Sequence, residues 1–586
     1  AGVTVLIYEQ TCAAEKRRRR KKGELVDPAR RVFINDRVCE GCGDCSVQSN
    51  CVAVLPTETP LGRKRKIDQS SCNKDYSCVK GFCPSFVGVV GGKLKKRAGA
   101  LASGAPLADF QRQVAALAHP EPHTWTAPYD LLVTGVGGTG VVTVGALISM
   151  AAHLEGKSAS VLDFMGFAQK GGSVLSFVRM ADVPSRLNQV RIDTQQADAI
   201  LAWDLVVGAS PESLATVRHG RTRILANTHE VPVAESLRNP DASLKVPALL
   251  EKLRFAASGD RDETLDAQAL AEAFLGDSIV SNILALGHAW QRGLVPVGLE
   301  ALLRAIELNG VGVENNKLAF SLGRLAAADP EAVAALLREP QQAQPQPLHA
   351  LESLDAVFAR AMEHLAGYQG PAYARRFAEF VAGVRRREVA LGTDPSLPFT
   401  RAVAQSLLKL MAYKDEYEVA RLYTDGEFMK AMHQQFEGDP ALEFYMAPPV
   451  ISRAKHGERP RKVRLGGWML PAMKLLAHGR RLRGTPLDVF GYTQERRMER
   501  ALVTEYRQRI EALLPALDAD RLKVATEIAL LPLSMRGFGP VKQANVEAAR
   551  LREAELLHRF DPQVYPRPRQ EPKAGQLRGI RVTAAA

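Results

Sequence analysis

The chain has 586 residues, of which 46% are apolar and 24% are charged, and its formal net charge is +13. This length allows three or four domains with cores of their own. No run of residues stays apolar and uncharged for long enough to cross a bilayer, so we expect no membrane partner. The positive charge indicates an acidic or polyanionic partner and does not predict a fold.

The N-terminal segment, residues 1–25, combines an apolar stretch with a basic one. Residues 1–11 have the composition of a buried strand in a parallel sheet whose other strands lie elsewhere. Residues 15–22 are one glutamate followed by seven basic residues. No aromatic residues alternate with these charges to stack on bases, so we interpret the stretch as a solvated linker and expect no nucleic acid. We do not expect Cys12, just before it, to bind a metal.

Seven of the eight cysteines lie in the next predicted domain, residues 26–95. Two residues separate Cys39 from Cys42 and Cys42 from Cys45, and a Cys-Pro pair follows at Cys83. Proteins that hold two 4Fe-4S clusters use such a run twice, and the cysteine before the proline ligates the cluster of the other run. We therefore predict a ferredoxin-like iron-sulfur domain. Its first cluster would be held by Cys39, Cys42, Cys45 and Cys83.

The second run departs from this pattern. Asp75 occupies the position of the middle cysteine between Cys72 and Cys78, and Cys51 follows the first run after a longer spacer. A second cluster on Cys51, Cys72 and Cys78, with Asp75 as a candidate ligand, would be the more labile one, because a carboxylate binds iron less well than a thiolate.

Two alternatives to iron and sulfur use the same cysteines. A zinc site could use Cys39, Cys42 and two later cysteines. Disulfides are less expected, because we identify no signal peptide and packed thiols suit a reducing compartment. We therefore expect a cytoplasmic protein.

Residues 96–127 are a predicted linker, and residues 128–328 are a predicted α/β domain. An apolar strand begins at Tyr129, a glycine turn spans residues 135–140, and a helical stretch follows over residues 141–153. Strand, glycine turn and helix in this order are typical of a site where backbone amides meet a phosphate. The candidate cofactor-binding residues of the turn are Gly135, Gly137, Gly138, Thr139 and Gly140.

Two other interpretations of the glycine turn stay open. Asp163 lies at the sequence distance where a dinucleotide site has its ribose-binding acid, which would give an NAD(P)-linked iron-sulfur reductase. Alternatively, the glycines only allow a strand and a helix to pack closely.

The C-terminal part begins after a second predicted linker, residues 329–352, which is rich in Gln and Pro. Residues 353–569 are predicted to be mainly helical, and residues 570–586 to be disordered. The clearest helix has apolar residues repeating at steps of three or four positions: Met498, Leu502, Tyr506, Ile510 and Leu513.

A family resemblance is carried by the glycine turn together with residues 164–173, 177–179, 198–202 and 281–287. These stretches resemble the gamma domain of 2-oxoacid:ferredoxin oxidoreductases. With the cysteine segment before them and the helical region after them, nearly the whole chain resembles the C-terminal half of the fused indolepyruvate:ferredoxin oxidoreductases of bacteria. The fold class is then multidomain, with a small ferredoxin-like iron-sulfur domain, a Rossmann-like α/β gamma domain and a mainly α C-terminal extension.

The resemblance implies an oxidative decarboxylation. A 2-oxoacid, indolepyruvate or another aryl pyruvate, would react on thiamine diphosphate with magnesium, electrons would pass through 4Fe-4S clusters to an external ferredoxin, and an acyl-coenzyme A would be released. Residues 1–25 would end a thiamine-binding domain, so the thiamine site would lie on a partner or missing half. We also expect a homo-oligomer. A non-catalytic iron-sulfur carrier or scaffold is the remaining alternative.

The resemblance also suggests binding surfaces. Lys170, Gly171 and Gly172, with Gln169 and Arg179 nearby in the sequence, are candidate contacts for coenzyme A or a cofactor phosphate. Asn282 would cap or bridge to the glycine turn. The helical extension would dock on the thiamine domains or a partner subunit, and the basic residues 453–464 and 480–483 would receive an acidic ferredoxin.

Overall fold

The structure is a computed structural model. It describes residues 5, 7, 9–95, 99–101, 105–166, 172–230, 239, 241–242, 245–258, 262–336, 353–447 and 460–567. The strands are β1 (Arg30–Ile34), β2 (Val54–Thr57), β3 (Lys64–Ile67), β4 (Phe86–Val90), β5 (Lys93–Leu94), β6 (Tyr129–Val136), β7 (Ser158–Met165), β8 (Ser173–Ala181), β9 (Ala199–Ala202), β10 (Arg223–Asn227), β11 (Asp262–Leu265), β12 (Phe436–Glu437), β13 (Ala441–Met446) and β14 (Val463–Leu465).

The helices are α1 (Ala13–Lys21), α2 (Asp44–Ser49), α3 (Ala105–Ala115), α4 (Val141–Leu154), α5 (Leu205–Gly208), α6 (Pro211–Ala215), α7 (Val246–Ala257), α8 (Ala267–Leu275), α9 (Ser281–Gln291), α10 (Leu299–Asn309), α11 (Val313–Ala328), α12 (Pro330–Leu336), α13 (Leu354–Tyr368), α14 (Pro371–Val389), α15 (Pro398–Met411), α16 (Glu416–Thr424), α17 (Glu427–Gln435), α18 (Met469–His478), α19 (Gln494–Leu513), α20 (Leu522–Leu530) and α21 (Gly539–Phe560). Among the described residues, no helix combines the length and apolar character that crossing a bilayer requires.

The chain forms two compact units, and neither is continuous in sequence. The first, here called the glycine-loop unit, comprises Ala1–Lys22 and Lys95–Gln344. The second, here called the cysteine unit, comprises Gly23–Leu94 and Pro345–Ala586. The segments predicted above as an iron-sulfur domain and a helical extension therefore belong to one unit.

A six-stranded sheet in the order β11-β10-β9-β6-β8-β7 organises the glycine-loop unit. Strands β6, β9, β10 and β11 are parallel, and β8 is antiparallel to both of its neighbours, β6 and β7. All eight residues of β6 are buried, as expected for a central strand covered on both faces. Leu131 and Val133 face one apolar core and Leu132 the other. The predicted strand, glycine turn and helix are confirmed by β6 and α4.

The second sheet, β1-β4-β13-β14, is antiparallel and belongs to the cysteine unit. Its strand β4 pairs on one edge with β1, from the cysteine segment, and on the other with β13, from the C-terminal region. The open edge of an apolar strand must pair with another strand or be covered by a helix or loop. The sequence does not indicate which distant strand provides it, and for this reason sequence analysis did not join the two segments.

The mainly helical character of the C-terminal region is confirmed by α13 to α21. On α19, the residues Leu502, Tyr506, Ile510 and Leu513 are buried and Met498 packs against the same core. The strands β12, β13 and β14 were not predicted. They are two to six residues long, which is too short for an alternating pattern to identify them.

The N-terminal segment and the predicted linkers contain helices. In residues 1–11, Val5 and Ile7 are exposed and belong to no strand, and residues 1–4, 6 and 8 lie outside the described residues. The basic stretch forms α1, with Arg18 and Arg19 paired to Glu15. Helix α3 lies in the predicted linker 96–127 and α12 at the start of the linker 329–352. Residues 337–352 and the predicted tail, 570–586, lie outside the described residues.

Candidate functional site

The cysteines predicted for a first cluster come together around one cavity of the cysteine unit. Cys39, Cys42, Cys45 and Cys83 line one small cavity. The first three wrap around it because the chain turns sharply before α2, where Gly41 and Gly43 have φ values of 67° and 76°. Only glycine adopts such angles without strain.

The chemistry of these four thiols fits an iron-sulfur cluster. Burial first, and then the neighbouring Cys83 thiol, raises the pKa of Cys39 and raises that of Cys42 to about 12. The same two causes raise the pKa of Cys45 well above its usual value. Four thiolates this close, two of them on buried residues, would require metal cations to be stable. The amide of Gly41 already donates to Cys39 Sγ at 3.3 Å, as amides do to cluster ligands.

A single metal ion and a cluster require different arrangements of their ligands. In the ranges that the structure describes, no three Cys, His, Asp or Glu side chains converge on one point suited to an ion. A zinc site requires such convergence. A cubane takes one thiolate at each of four irons, so its ligands surround a volume instead.

The residues predicted for a second cluster are also neighbours. Burial, followed by the thiols of Cys51 and Cys72 and the carboxylate of Asp75, raises the pKa of Cys78 to about 12. The amide of Lys74 donates to Cys72 Sγ at 3.4 Å. This group is less enclosed than the first, since only Cys78 in it is buried and Asp75 is exposed, whereas the first group has two buried cysteines, Cys39 and Cys45.

Asp75 is an exposed member of the second group. The hydroxyl of Ser77 lies 3.1 Å and 3.0 Å from its two carboxylate oxygens, and the Ser77 amide donates to one of them at 3.3 Å. Binding a metal would require Asp75 to exchange these contacts. Cys12 is exposed and belongs to the glycine-loop unit.

Charged residues that sequence analysis did not identify surround the first cysteine group. Lys414, from the C-terminal region, donates to the Cys39 carbonyl at 3.2 Å and to Glu40 at 2.5 Å. Burial opposes ionisation of Glu40, but the charges of Lys414 and then Lys64 hold its pKa well below the usual range. The sequence provides no local signal for such a contact, because Lys414 is distant in the chain.

The glycine turn, residues 135–140 and from here called the glycine loop, already forms several hydrogen bonds with the protein. Gly137 N donates to Gly172 O at 2.9 Å, and Thr139 donates to Val136 O through both its amide and its hydroxyl, at 3.0 Å and 2.7 Å. The first turn of α4 has no side-chain cap, so its amides are the ones that can meet an anion.

Asn282, at the start of α9, lies against this loop. A Cβ atom at Gly140, where φ is 83°, would overlap with the Asn282 side-chain nitrogen. Gly135 is also tightly packed, with Val141 Cγ2 2.7 Å from the position of its missing Cβ. Lys170 and Gly171, with Gln169, lie outside the described residues.

Asp163 is not placed as in a dinucleotide site. It lies on the edge strand β7 opposite Ser176 of β8, and Ser176 lies opposite Val133 of β6. Two strand spacings, about 10 Å, therefore separate Asp163 from the glycine strand. In a dinucleotide fold, the strand with the ribose-binding acid is the direct neighbour of the glycine strand. The sequence distance was typical of such a site, but the strand order differs.

Arg179 is not available to bind a phosphate near Gly172. It is buried on β8, and its guanidinium donates to both carboxylate oxygens of Asp130 at 2.6 Å and 3.2 Å. Asp130 lies at the start of β6, so roughly 20 Å of strand separates Arg179 from Gly172. The expectation for Arg179 is therefore wrong, and the pair is a structural one.

One arginine of the basic surface predicted to receive ferredoxin, residues 453–464 and 480–483, forms a buried ion pair instead. Arg483 is buried and donates to both oxygens of Asp415 at 2.6 Å and 2.7 Å. Arg480 and Arg481 stay at least partly accessible, whereas residues 453–459 lie outside the described residues.

Comparisons with known proteins match two separate regions of the chain to two different families. Residues 130–326 match a family model described as pyruvate ferredoxin/flavodoxin oxidoreductase. Residues 354–555 match a model described as a family of unknown function, DUF6537.

Three relatives align with about a third of this chain and with almost their whole length. Indolepyruvate oxidoreductase subunit IorB of Pyrococcus horikoshii is 29% identical, over 34% of this chain and 96% of the relative. The NADH-dependent phenylglyoxylate dehydrogenase subunit gamma of Aromatoleum evansii is 29% identical, over 33% and 92%. The pyruvate/ketoisovalerate oxidoreductases common subunit gamma of Thermococcus kodakarensis is 30% identical, over 32% and 90%.

Proposed function

This chain belongs to the 2-oxoacid:ferredoxin oxidoreductase family, and we propose that it contributes the gamma domain and the electron-transfer segment of such an enzyme. The observation that carries the proposal is the cavity lined by Cys39, Cys42, Cys45 and Cys83, in the same chain as a gamma-type α/β domain. A gamma domain alone would not require four thiols around one cavity, two of them buried.

In this proposal, residues 26–95 hold the clusters, residues 128–328 are the gamma domain and residues 353–569 complete the cysteine unit. When bound, 4Fe-4S clusters would supply one-electron transfer. The four cysteines of the cavity would hold the first cluster. Cys51, Cys72 and Cys78 would hold a second, more labile one, with Asp75 as a candidate ligand that must first release Ser77.

Membership of this family suggests three further cofactors, namely thiamine diphosphate, magnesium and coenzyme A. Thiamine diphosphate and magnesium would lie on a partner chain or half, where the 2-oxoacid is decarboxylated. The glycine loop, with Gly135, Gly137, Gly138, Thr139 and Gly140, would meet a phosphate of coenzyme A at the first turn of α4. Lys170, Gly171 and Gly172 would complete that contact.

The proposed substrate is an aryl pyruvate, and the proposed acceptor is ferredoxin. A relative named indolepyruvate oxidoreductase supports indolepyruvate as the first substrate to test. Electrons would leave to an external, acidic ferredoxin, for which Arg480 and Arg481 are accessible cations. The assembled enzyme would be a homo-oligomer in the cytoplasm.

The test is the anaerobic iron and sulfide content of the chain, with EPR of the dithionite-reduced protein. We expect about eight irons and two interacting signals, since each cubane contains four irons. About four irons would leave only the first cluster, and zinc without sulfide would overturn the proposal. Adding NADH in place of dithionite tests the NAD(P)-linked alternative, and we expect the clusters to stay oxidised.

The matched variant is Asp75→Cys. If Asp75 lies at the second cluster, the thiolate should change one of the two EPR signals and leave the other unchanged. Asp68→Cys is a control, because Asp68 is an aspartate of the same segment that accepts from Ser70 but belongs to neither cysteine group. An identical response of both variants would exclude Asp75 as a ligand.

A further inference from the structure

Arg65 is a buried cation that faces the cavity of the first cysteine group. It lies on β3, its side chain is 2% exposed, and it lines the cavity together with the four cysteines. Within the described ranges, its Nε and Nη2 atoms have no hydrogen-bond partner. A guanidinium does not lose its proton in a protein, so this position holds a permanent positive charge with unused donors.

Such a position is unfavourable unless a negative group fills the cavity. Burying a charge without a partner costs several kcal/mol, and each unsatisfied buried donor adds to that cost. Four neutral thiols do not offset it, because thiol sulfur is a weak acceptor without charge. Two carboxylates also line the cavity, but Glu40 accepts from Lys414 and Asp44 accepts from the Phe82 amide, and neither bonds the Nε or Nη2 atom of Arg65. A 4Fe-4S cluster with four thiolate ligands is an anion, and its sulfur atoms accept hydrogen bonds.

A second cation approaches the same cavity from the C-terminal region. Lys462, just before β14, donates to Val79 O at 3.0 Å, and its Nζ lies 4.9 Å from the ring centroid of Phe86, a residue of the cavity wall. Burial lowers the pKa of Lys462, and the thiols of Cys83 and Cys45, together with that of Cys78 from the second group, oppose this shift. The contacts with Val79, which follows Cys78, and with Phe86 of the cavity wall place the ammonium beside the cysteine segment.

We propose that Arg65 and Lys462 set the reduction potential of the first cluster by stabilising its reduced state. When bound, the cluster would take up one electron from the oxidised 2-oxoacid and would pass it to ferredoxin, with no bond formed or broken on this chain. The added negative charge is favoured by nearby cations and by donors to the cluster sulfur atoms. This inference rests on the proposed function, and it assigns an electron-transfer role to a residue of the region of unknown function.

The experiment is an anaerobic EPR redox titration of the full chain. The signal that disappears in Cys42→Ser identifies the first cluster. Arg65→Met should shift its midpoint to a more negative potential, and Arg65→Lys, which keeps the charge but loses the guanidinium donors, should shift it less. The matched control is Lys66→Met, which removes the same charge from the exposed face of the same strand and should leave the midpoint unchanged.

Iron and sulfide analysis separates the possible failures. A wild-type chain without iron and sulfide overturns this inference together with the proposed function. A wild-type chain with the cluster, and an Arg65→Met variant with full iron and an unchanged midpoint, overturns this inference alone. If Arg65→Met does not retain iron, Lys462→Met decides: a shift to a more negative midpoint supports the inference, and an unchanged midpoint overturns it.

Discussion

Val87 of β4 lies opposite Phe444 of β13 in an antiparallel ladder, although the whole gamma-type domain separates them in sequence. The C-terminal region therefore completes the sheet that follows the last predicted cluster ligand, Cys83. Both residues are fully buried in one apolar core. The region that matches a family of unknown function is thus a structural part of the unit that contains the cysteines.

Phe444→Ala should destabilise the cysteine unit. The ring packs 5.3 Å from that of Tyr423, and such a truncation costs about 3–5 kcal/mol. We expect a lower urea midpoint and faster loss of iron in chelator, measured on the full chain. Trp468→Ala is the control, because Trp468 is 63% exposed and its truncation should change stability by less than about 0.5 kcal/mol. Equal effects of the two substitutions would contradict the role of β13.

Cys42→Ser should remove one cluster and leave the other. The side chain lines the first cavity, and we expect a loss of about four irons per chain together with one EPR signal. Cys12→Ser should retain the full iron content, because Cys12 is exposed and outside both groups. The assignment of the first group would be wrong if both variants kept all their iron.

The parts that could be predicted are those that depend on neighbours in sequence. The grouping of Cys39, Cys42 and Cys45 follows from local spacing, and the glycine turn follows from the strand before it and the helix after it. The sequence left a ribose-binding role for Asp163 open because strand order, which decides it, is a long-range property. Arg65 was missed because a buried arginine in a short, charged strand has the sequence pattern of an exposed one.

Arg179→Met should destabilise the glycine-loop unit without affecting coenzyme A. The change leaves the buried carboxylate of Asp130 without its partner, which costs about 3–5 kcal/mol. Arg221→Met is the control, since it breaks the more exposed pair with Asp198, worth less than about 1 kcal/mol. Urea unfolding should separate the two variants, and calorimetry should give both the coenzyme A affinity of the wild type. If Arg179→Met bound coenzyme A more weakly and Arg221→Met did not, Arg179 would have a role in binding the coenzyme A phosphate.

Gly140→Ala should lower the stability of the glycine-loop unit more than Gly138→Ala, although both glycines have positive φ, 83° and 96°. Both variants incur the backbone strain of an alanine at such an angle, about 1 kcal/mol. Only at Gly140 does the new methyl group meet another side chain, that of Asn282, whereas the space beside Gly138 is open. Adding Asn282→Ala should therefore recover part of the stability lost in Gly140→Ala and none of that lost in Gly138→Ala. The measurement is a double-mutant cycle by urea unfolding, and additive effects at Gly140 would show that Asn282 does not support the loop.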